Sequence, residues 1–346
     1  MKIKHLNMFA AIALSGALLV SCGKSDSDAP SPDAVTEEAV KDLDPAETLQ
    51  MAAKSVAEKQ AGTLWAMLPE SYQADMTSVV HEFANSVDPD VYQASADLLK
   101  KLIDVLQDKQ EFILSSPMLE ELVDGDSLRE GYSAVVGLFD TIINSELGDI
   151  EKLKTVDLSD MMAGTGNKIL EQLSEAAGIM GDEDPFVEAD KAAAADYEVI
   201  SEEGNSATVK VTMDGESEEI ELTKVDGKWI LADMAEEFTE TMAETRAGIA
   251  EIDWTENKMT VLTMISGIDS TLDELKAANT EEEFNAAIME LMGGLMGGME
   301  PGFDEPGFDF DPGDESAVPG IPAPGAPGLP AAPPPPAAPE LPAFDN

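Results

Sequence analysis

The sequence predicts an α+β fold: a mainly helical array carrying a small antiparallel meander of three to four strands. Three observations predict it. Apolar residues recur at helical spacing from Asp44 to about residue 180, with an acid followed by proline at Asp44-Pro45 and Asp88-Pro89; such pairs cap a helix and open its first turn. At Tyr197 the period falls to two, and Ala207, Val209, Val211 and Met213 alternate with Thr208, Lys210 and Thr212, as in a strand with one buried face. From about residue 233 helical spacing returns. Helices grouped on either side of a run of strands, without strict alternation, mark the α+β class.

In chain order, residues 1–21 read as a leader. Lys2 and Lys4 form a basic start and Phe9 to Val20 a mostly apolar core, shorter than the roughly 20 apolar residues a membrane-spanning helix needs. It ends on Leu19-Val20-Ser21-Cys22, and Cys22 is the single cysteine of the chain. These four residues resemble the lipobox of bacterial lipoproteins. The resemblance implies cleavage between Ser21 and Cys22, acylation of Cys22 and attachment to a membrane of the cell envelope. Gly23, in place of the Asp of an inner-membrane retention signal, implies the outer membrane over the inner one. Each buried methylene of an acyl chain contributes about 0.8 kcal/mol, and two or more chains make the anchor stable.

Residues 22–43, rich in Ser, Asp, Ala and Pro, read as a flexible acidic spacer, since such a composition buries too little apolar surface to order itself. A domain spanning 44–299 follows. Its first helix is expected over 45–68, opened by Asp44-Pro45 with Glu47 at the third position and broken by Pro69. Tyr72, Met76, Val79, Val80, Phe83 and Val87 trace a second helix, and Leu98 to Ile113 a third over 89–114. After a short segment from Pro117 to Val123, a helix is expected over 127–147 with Gly148 as its C-cap. A further one covers 159–180, interrupted at Gly164 and Gly166.

The meander occupies about 197–231. Asp214-Gly215 is a type I′ hairpin signal and Asp226-Gly227 a second tight turn into Lys228-Trp229-Ile230-Leu231. The stretch SATVKVTMDGESEEIELTKVDGKWILADM resembles the sheet hairpins of lipoproteins with an NTF2-like (cystatin-like) fold, which implies a concave sheet able to hold a small molecule around Trp229. Three helices close the domain at about 233–252, 256–278 and 281–296, the last opened by the capping box Thr280 to Glu283. Leu291-Met292-Gly293-Gly294 is repeated at once as Leu295 to Gly298, a small-residue helix face or a fraying helix end. Residues 300–346 form a Pro, Gly and Ala-rich acidic tail, holding fourteen of the 21 prolines and expected to be disordered with polyproline II character.

Charge narrows the partners. With 20 Lys plus Arg against 70 Asp plus Glu, the net charge is −50, which excludes nucleic acid and anionic headgroups as natural ligands. The familiar nucleophile and zinc patterns are absent, and no cofactor motif stands in the chain. Gly164-Thr165-Gly166-Asn167-Lys168 lacks the spacing of a phosphate loop. Asp309, Asp311 and Asp314 allow only weak binding of divalent cations, because Gly320 stands where a calcium loop needs its bidentate Glu. His81 lies in an apolar-flanked helix, and a histidine without a second ligand in view more often belongs to the packing than to a metal site. Trp65 and Trp229 are candidates for a pocket or for the core, as is Trp254. These features point first to a non-enzymatic envelope lipoprotein that binds a protein partner, with an NTF2-like small-molecule cavity or a spacer role as the alternatives.

Overall fold

A computed structural model describes Val40 and residues 42–115, 125–177 and 184–297. It shows an α+β fold, mostly helical, with a four-stranded antiparallel sheet. The helices are α1 (Pro45–Ala57), α2 (Ala61–Met67), α3 (Glu70–Ser86), α4 (Pro89–Asp108), α5 (Gln110–Leu114), α6 (Gly125–Ile143), α7 (Ile150–Leu153), α8 (Leu158–Met161), α9 (Asn167–Ala177) and α10 (Pro185–Ala193). Strands β1 (Asp196–Glu203), β2 (Ser206–Met213), β3 (Glu216–Val225) and β4 (Lys228–Leu231) follow. Then come α11 (Ala232–Glu251), α12 (Trp254–Ala277) and α13 (Glu281–Gly297).

The acid-proline starts behave as their chemistry requires. Asp44 accepts from Glu47 N at 2.8 Å while Glu47 Oε2 accepts from Asp44 N at 3.1 Å, and Asp88 accepts from Asp90 N and Val91 N. Two expected helices are each split. The single helix expected over 45–68 breaks at Lys59, whose φ of 58° is left-handed. Lys59 N donates to Val56 O and Gln60 N to Ser55 O, the paired bonds of a Schellman end. The 89–114 helix breaks more gently at Lys109.

Gly148 does not cap α6, which ends at Ile143. It sits in a short 3-10 turn over Glu146–Gly148, and a Cβ there would lie 1.8 Å from Ile143 O. Expected residues 117–123 and 178–180 fall outside the described residues. The glycine interruption between α8 and α9 is a π-helical turn, Met162–Gly166. There Gly62 of α2 comes so close that a Cβ would meet Ala163 Cα at 2.7 Å, and one on Gly166 would meet Ala61 Cβ at 2.9 Å, so these two glycines serve helix packing, whereas Gly164 faces open space.

The sheet runs in the order β1-β2-β3-β4. Asp214 and Asp226 take φ of 54° and 51°, each followed by a glycine at positive φ, the signature of type I′ turns. Ile200 is left out of the β1–β2 register, and this bulge lies on an edge strand, where it discourages further pairing. One face, with Val209, Val211, Leu222 and Trp229, packs on Ala46 and Leu49 of α1. On the other face Lys210 stands opposite Glu219 and Thr212 opposite Ser217, toward solvent.

Apart from this core there are two larger helical ones. The main one gathers Trp65, Tyr72, Met76, Leu153, Ile169 and Phe238, with the Tyr72 and Phe238 rings stacked 3.7 Å apart. The second joins α4, α5, α6, α12 and α13 around Ile103, Tyr132, Leu272 and Phe284. β4 ties sheet to helices, because Trp229 faces α1 while its neighbour Ile230 enters the main helical core.

α4 and α12 lie side by side and run in the same direction. Lys258 pairs with Asp88 and Asp90, Lys101 with Asp269 and Asp273, and Lys276 with Asp104. These three lysines are thus placed between the two helices, where they relieve acid–acid repulsion.

Candidate functional site

α3 is positioned by the turn of the β3–β4 hairpin. Pro69, at its N-cap, has no side-chain acceptor to offer. The acceptor comes instead from Asp226, whose Oδ2 takes a hydrogen bond from Ser71 N at 2.9 Å. Two residues on, Lys228 Nζ donates to Ala66 O at 2.7 Å and Leu68 O at 2.8 Å, closing the C-terminal end of α2. One tight turn therefore supplies an anion to a helix start and a cation to a helix end, each matching the local dipole. Hydrogen bonding by Ser71, aided by the Lys228 charge, holds the Asp226 carboxyl below the ordinary carboxylate range. Burial, then the Asp226 charge, pushes the Tyr72 hydroxyl up.

Along α3 runs an open groove of about 1030 Å³, at the upper end of the sizes typical of ligand sites. Arg246, Ile249 and Ala250 of α11 form one wall, and Asp157 and Ser159 at the start of α8 contribute to the lining. Arg246 fixes its wall by pairing with Asp75 at 3.1 Å and Glu82 at 3.3 Å, bonds that raise its pKa further, Asp75 foremost. His81 Nε2 lies 3.0 Å from Val156 O. A carbonyl can only accept, so Nε2 carries the proton.

The polar side chains of α3 give their donors to acceptors within the protein. Gln73 Nε2 gives to Trp65 O at 2.9 Å and Leu68 O at 3.0 Å, Thr77 to Gln73 O, Ser78 to Glu82 and Ser86 to Phe83 O.

Of the residues singled out in the sequence, Trp65 and His81 are brought together here, although they served no common motif. Trp65 is only 4% exposed and is at once core and groove lining. Trp229 is elsewhere, 3% exposed between the sheet and α1, with Lys224 Nζ 4.9 Å from its ring centroid. Trp254 begins α12 and packs against the main core. Ser21, Cys22, Asp309, Asp311 and Asp314 lie outside the described residues, and the Leu291–Gly298 repeat falls at the end of α13, whose backbone is helical to Gly297.

Arg246 and Asp157 belong to no spaced motif in the sequence. Arg246 had a signal: it is one of two arginines, and it follows Glu236, Glu237, Glu240 and Glu244 on an otherwise acidic helix. Among the described residues no group of His, Cys, Asp and Glu is gathered as a metal site, and no helix is long and apolar enough to cross a membrane. Comparison with known proteins finds no matching family model, curated protein or solved structure.

Proposed function

We propose that the protein is a cell-envelope lipoprotein, held to its membrane through acylated Cys22, that acts as a non-enzymatic binding module with the α3 groove as its receptor surface. One observation carries the binding half of this reading. The groove is large and open, yet its one guanidinium is spent inside the protein on Asp75 and Glu82, and one ring nitrogen of His81 is turned away to Val156 O. A reaction centre needs such groups directed at a substrate, with a proton to give or take. A docking surface needs them fixed, so that shape is prepared before the partner arrives. The anchor half rests on the resemblance of Leu19-Val20-Ser21-Cys22 to a lipobox. The small-molecule cavity reading has no comparable support, because Ala46 and Leu49 fill the sheet face around Trp229.

The two halves are tested separately. Cys22→Ala should move the protein from the membrane fraction to the aqueous one; unchanged detergent partitioning would refute the anchor. Ala74→Trp, placed in the groove lining, should abolish co-isolation of the partner from detergent-extracted envelopes while leaving the melting temperature near its original value. Undiminished co-isolation would move the receptor surface elsewhere.

A further inference from the structure

Building on the binding-module reading, we infer that the α3 groove receives a Lys- or Arg-bearing segment of a partner protein. Two independent observations point to this chemistry. The first is the hydrogen-bond inventory. The donors of Gln73, Thr77, Ser78 and Ser86 are all directed at acceptors within the protein, and Asn85 Nδ2 gives to His81 O. What Gln73, Thr77, Ser78 and Ser86 present to the groove is their acceptor capacity, since an amide oxygen and a hydroxyl oxygen each keep lone pairs when the N–H or O–H is engaged, while Asn85 keeps one N–H beside its oxygen. A ligand burying such a surface must bring donors, or it leaves acceptors desolvated and unpaired.

The second is charge. Glu70, Glu82 and Asp157 line the groove, and its one permanent cation, Arg246, is matched by Asp75 and Glu82. The lining is therefore net negative within a chain of net charge −50. Ammonium and guanidinium groups are donors without acceptors, which complements the inventory and the charge together. Their methylene stems suit the apolar strip offered by Trp65, Ile249 and Ala250. The groove follows a helix of 17 residues, about 25 Å at 1.5 Å per residue, a length suited to a chain segment.

The test is a titration of the full chain with a fluorescent oligolysine peptide, compared between two double variants of equal added charge. Glu70→Lys with Asn85→Lys alters the groove; Ser206→Lys with Glu219→Lys alters the outer sheet face; all four positions are exposed. Thermal unfolding confirms that each variant folds. The groove pair should weaken binding about tenfold or more, and the sheet pair by less than about twofold, since the fields of exposed charges decay over about 10 Å. Equal weakening by both pairs would show attraction to the acidic surface at large and overturn the inference, as would equal binding of an oligoglutamate peptide. A partner captured in the groove through a neutral or acidic segment would overturn this inference alone and leave the binding-module reading standing.

Discussion

Asp226 Oδ2 accepts the hydrogen bond of Ser71 N at 2.9 Å across 155 residues of chain. Through this bond the tip of a β-hairpin supplies the capping acceptor that Pro69 cannot give to the helix that carries the groove. Asp226 suits the position twice over. Its left-handed φ of 51° belongs to the hairpin turn, which Asp and Asn tolerate better than other side chains, and its carboxylate faces the positive end of α3.

The bond has a pH signature. Because Ser71 holds the carboxyl below its ordinary range, the folded state binds fewer protons than the unfolded one near pH 4. The stabilisation is complete above the unfolded value of about 3.9 and is lost as the pH falls through the folded value. Asp226→Asn keeps the turn and an acceptor but cannot titrate. Its melting temperature should therefore decline less steeply below about pH 4 than that of the parent protein; parallel acid limbs would show that the Ser71 bond does not set the titration.

Lys228 is buried at 7% exposure, with its ammonium on two carbonyls of α2. Lys228→Met keeps the stem and removes the donor, leaving both carbonyls short of a partner. Urea unfolding should show a loss of about 2–3 kcal/mol, and a loss below about 0.5 kcal/mol would mean that water reaches the corner.

Trp229 is the largest ring between the sheet and α1, buried among Val209, Val211 and Leu222 at 3% exposure. Trp229→Ala should cost about 3–5 kcal/mol in denaturant unfolding. A negligible loss would return Trp229 to the role of a pocket wall.

Lys101 bridges α4 to Asp269 and Asp273 of α12 at 2.6 and 2.9 Å. Its pKa is raised, by Asp269 first and Asp273 next, so the pair's contribution is complete below the unfolded value of about 10.4 and fades as the pH rises through the folded one. Lys101→Met should lower the melting temperature at neutral pH, more at low salt than at high, and the difference from the parent should shrink above about pH 11. A salt-independent difference would assign the effect to packing of the stem.

The parts of the fold legible in the sequence were those governed by local chemistry. Asp44-Pro45 and Asp88-Pro89 start helices because an acid caps and a proline pre-sets the first turn, and the Asp-Gly pairs make hairpins because both residues accept positive φ. Asp184-Pro185 carries the same signature before α10, yet that helix was not among those expected, its nine residues being too few to show an apolar period. The break at Lys59 had no local sign, since lysine is a poor occupant of the left-handed region, and the turn is called for by α1 packing on the sheet through Ala46 and Leu49 while its end and α2 enter the main helical core. The groove was illegible for a third reason. Residues 73–86, 157–159 and 246–250 meet only after long-range folding, and none of their side chains belongs to a spaced motif.

The most direct measurement is photo-cross-linking in cells from two positions of the anchored full chain: residue 78 in the groove and residue 208 on the outer sheet face. A discrete protein adduct is expected from residue 78 and none of that size from residue 208, with the adduct lost in the Glu70→Lys, Asn85→Lys variant. No adduct from residue 78, or the same adducts from both positions, would contradict the assignment of the groove as the receptor surface.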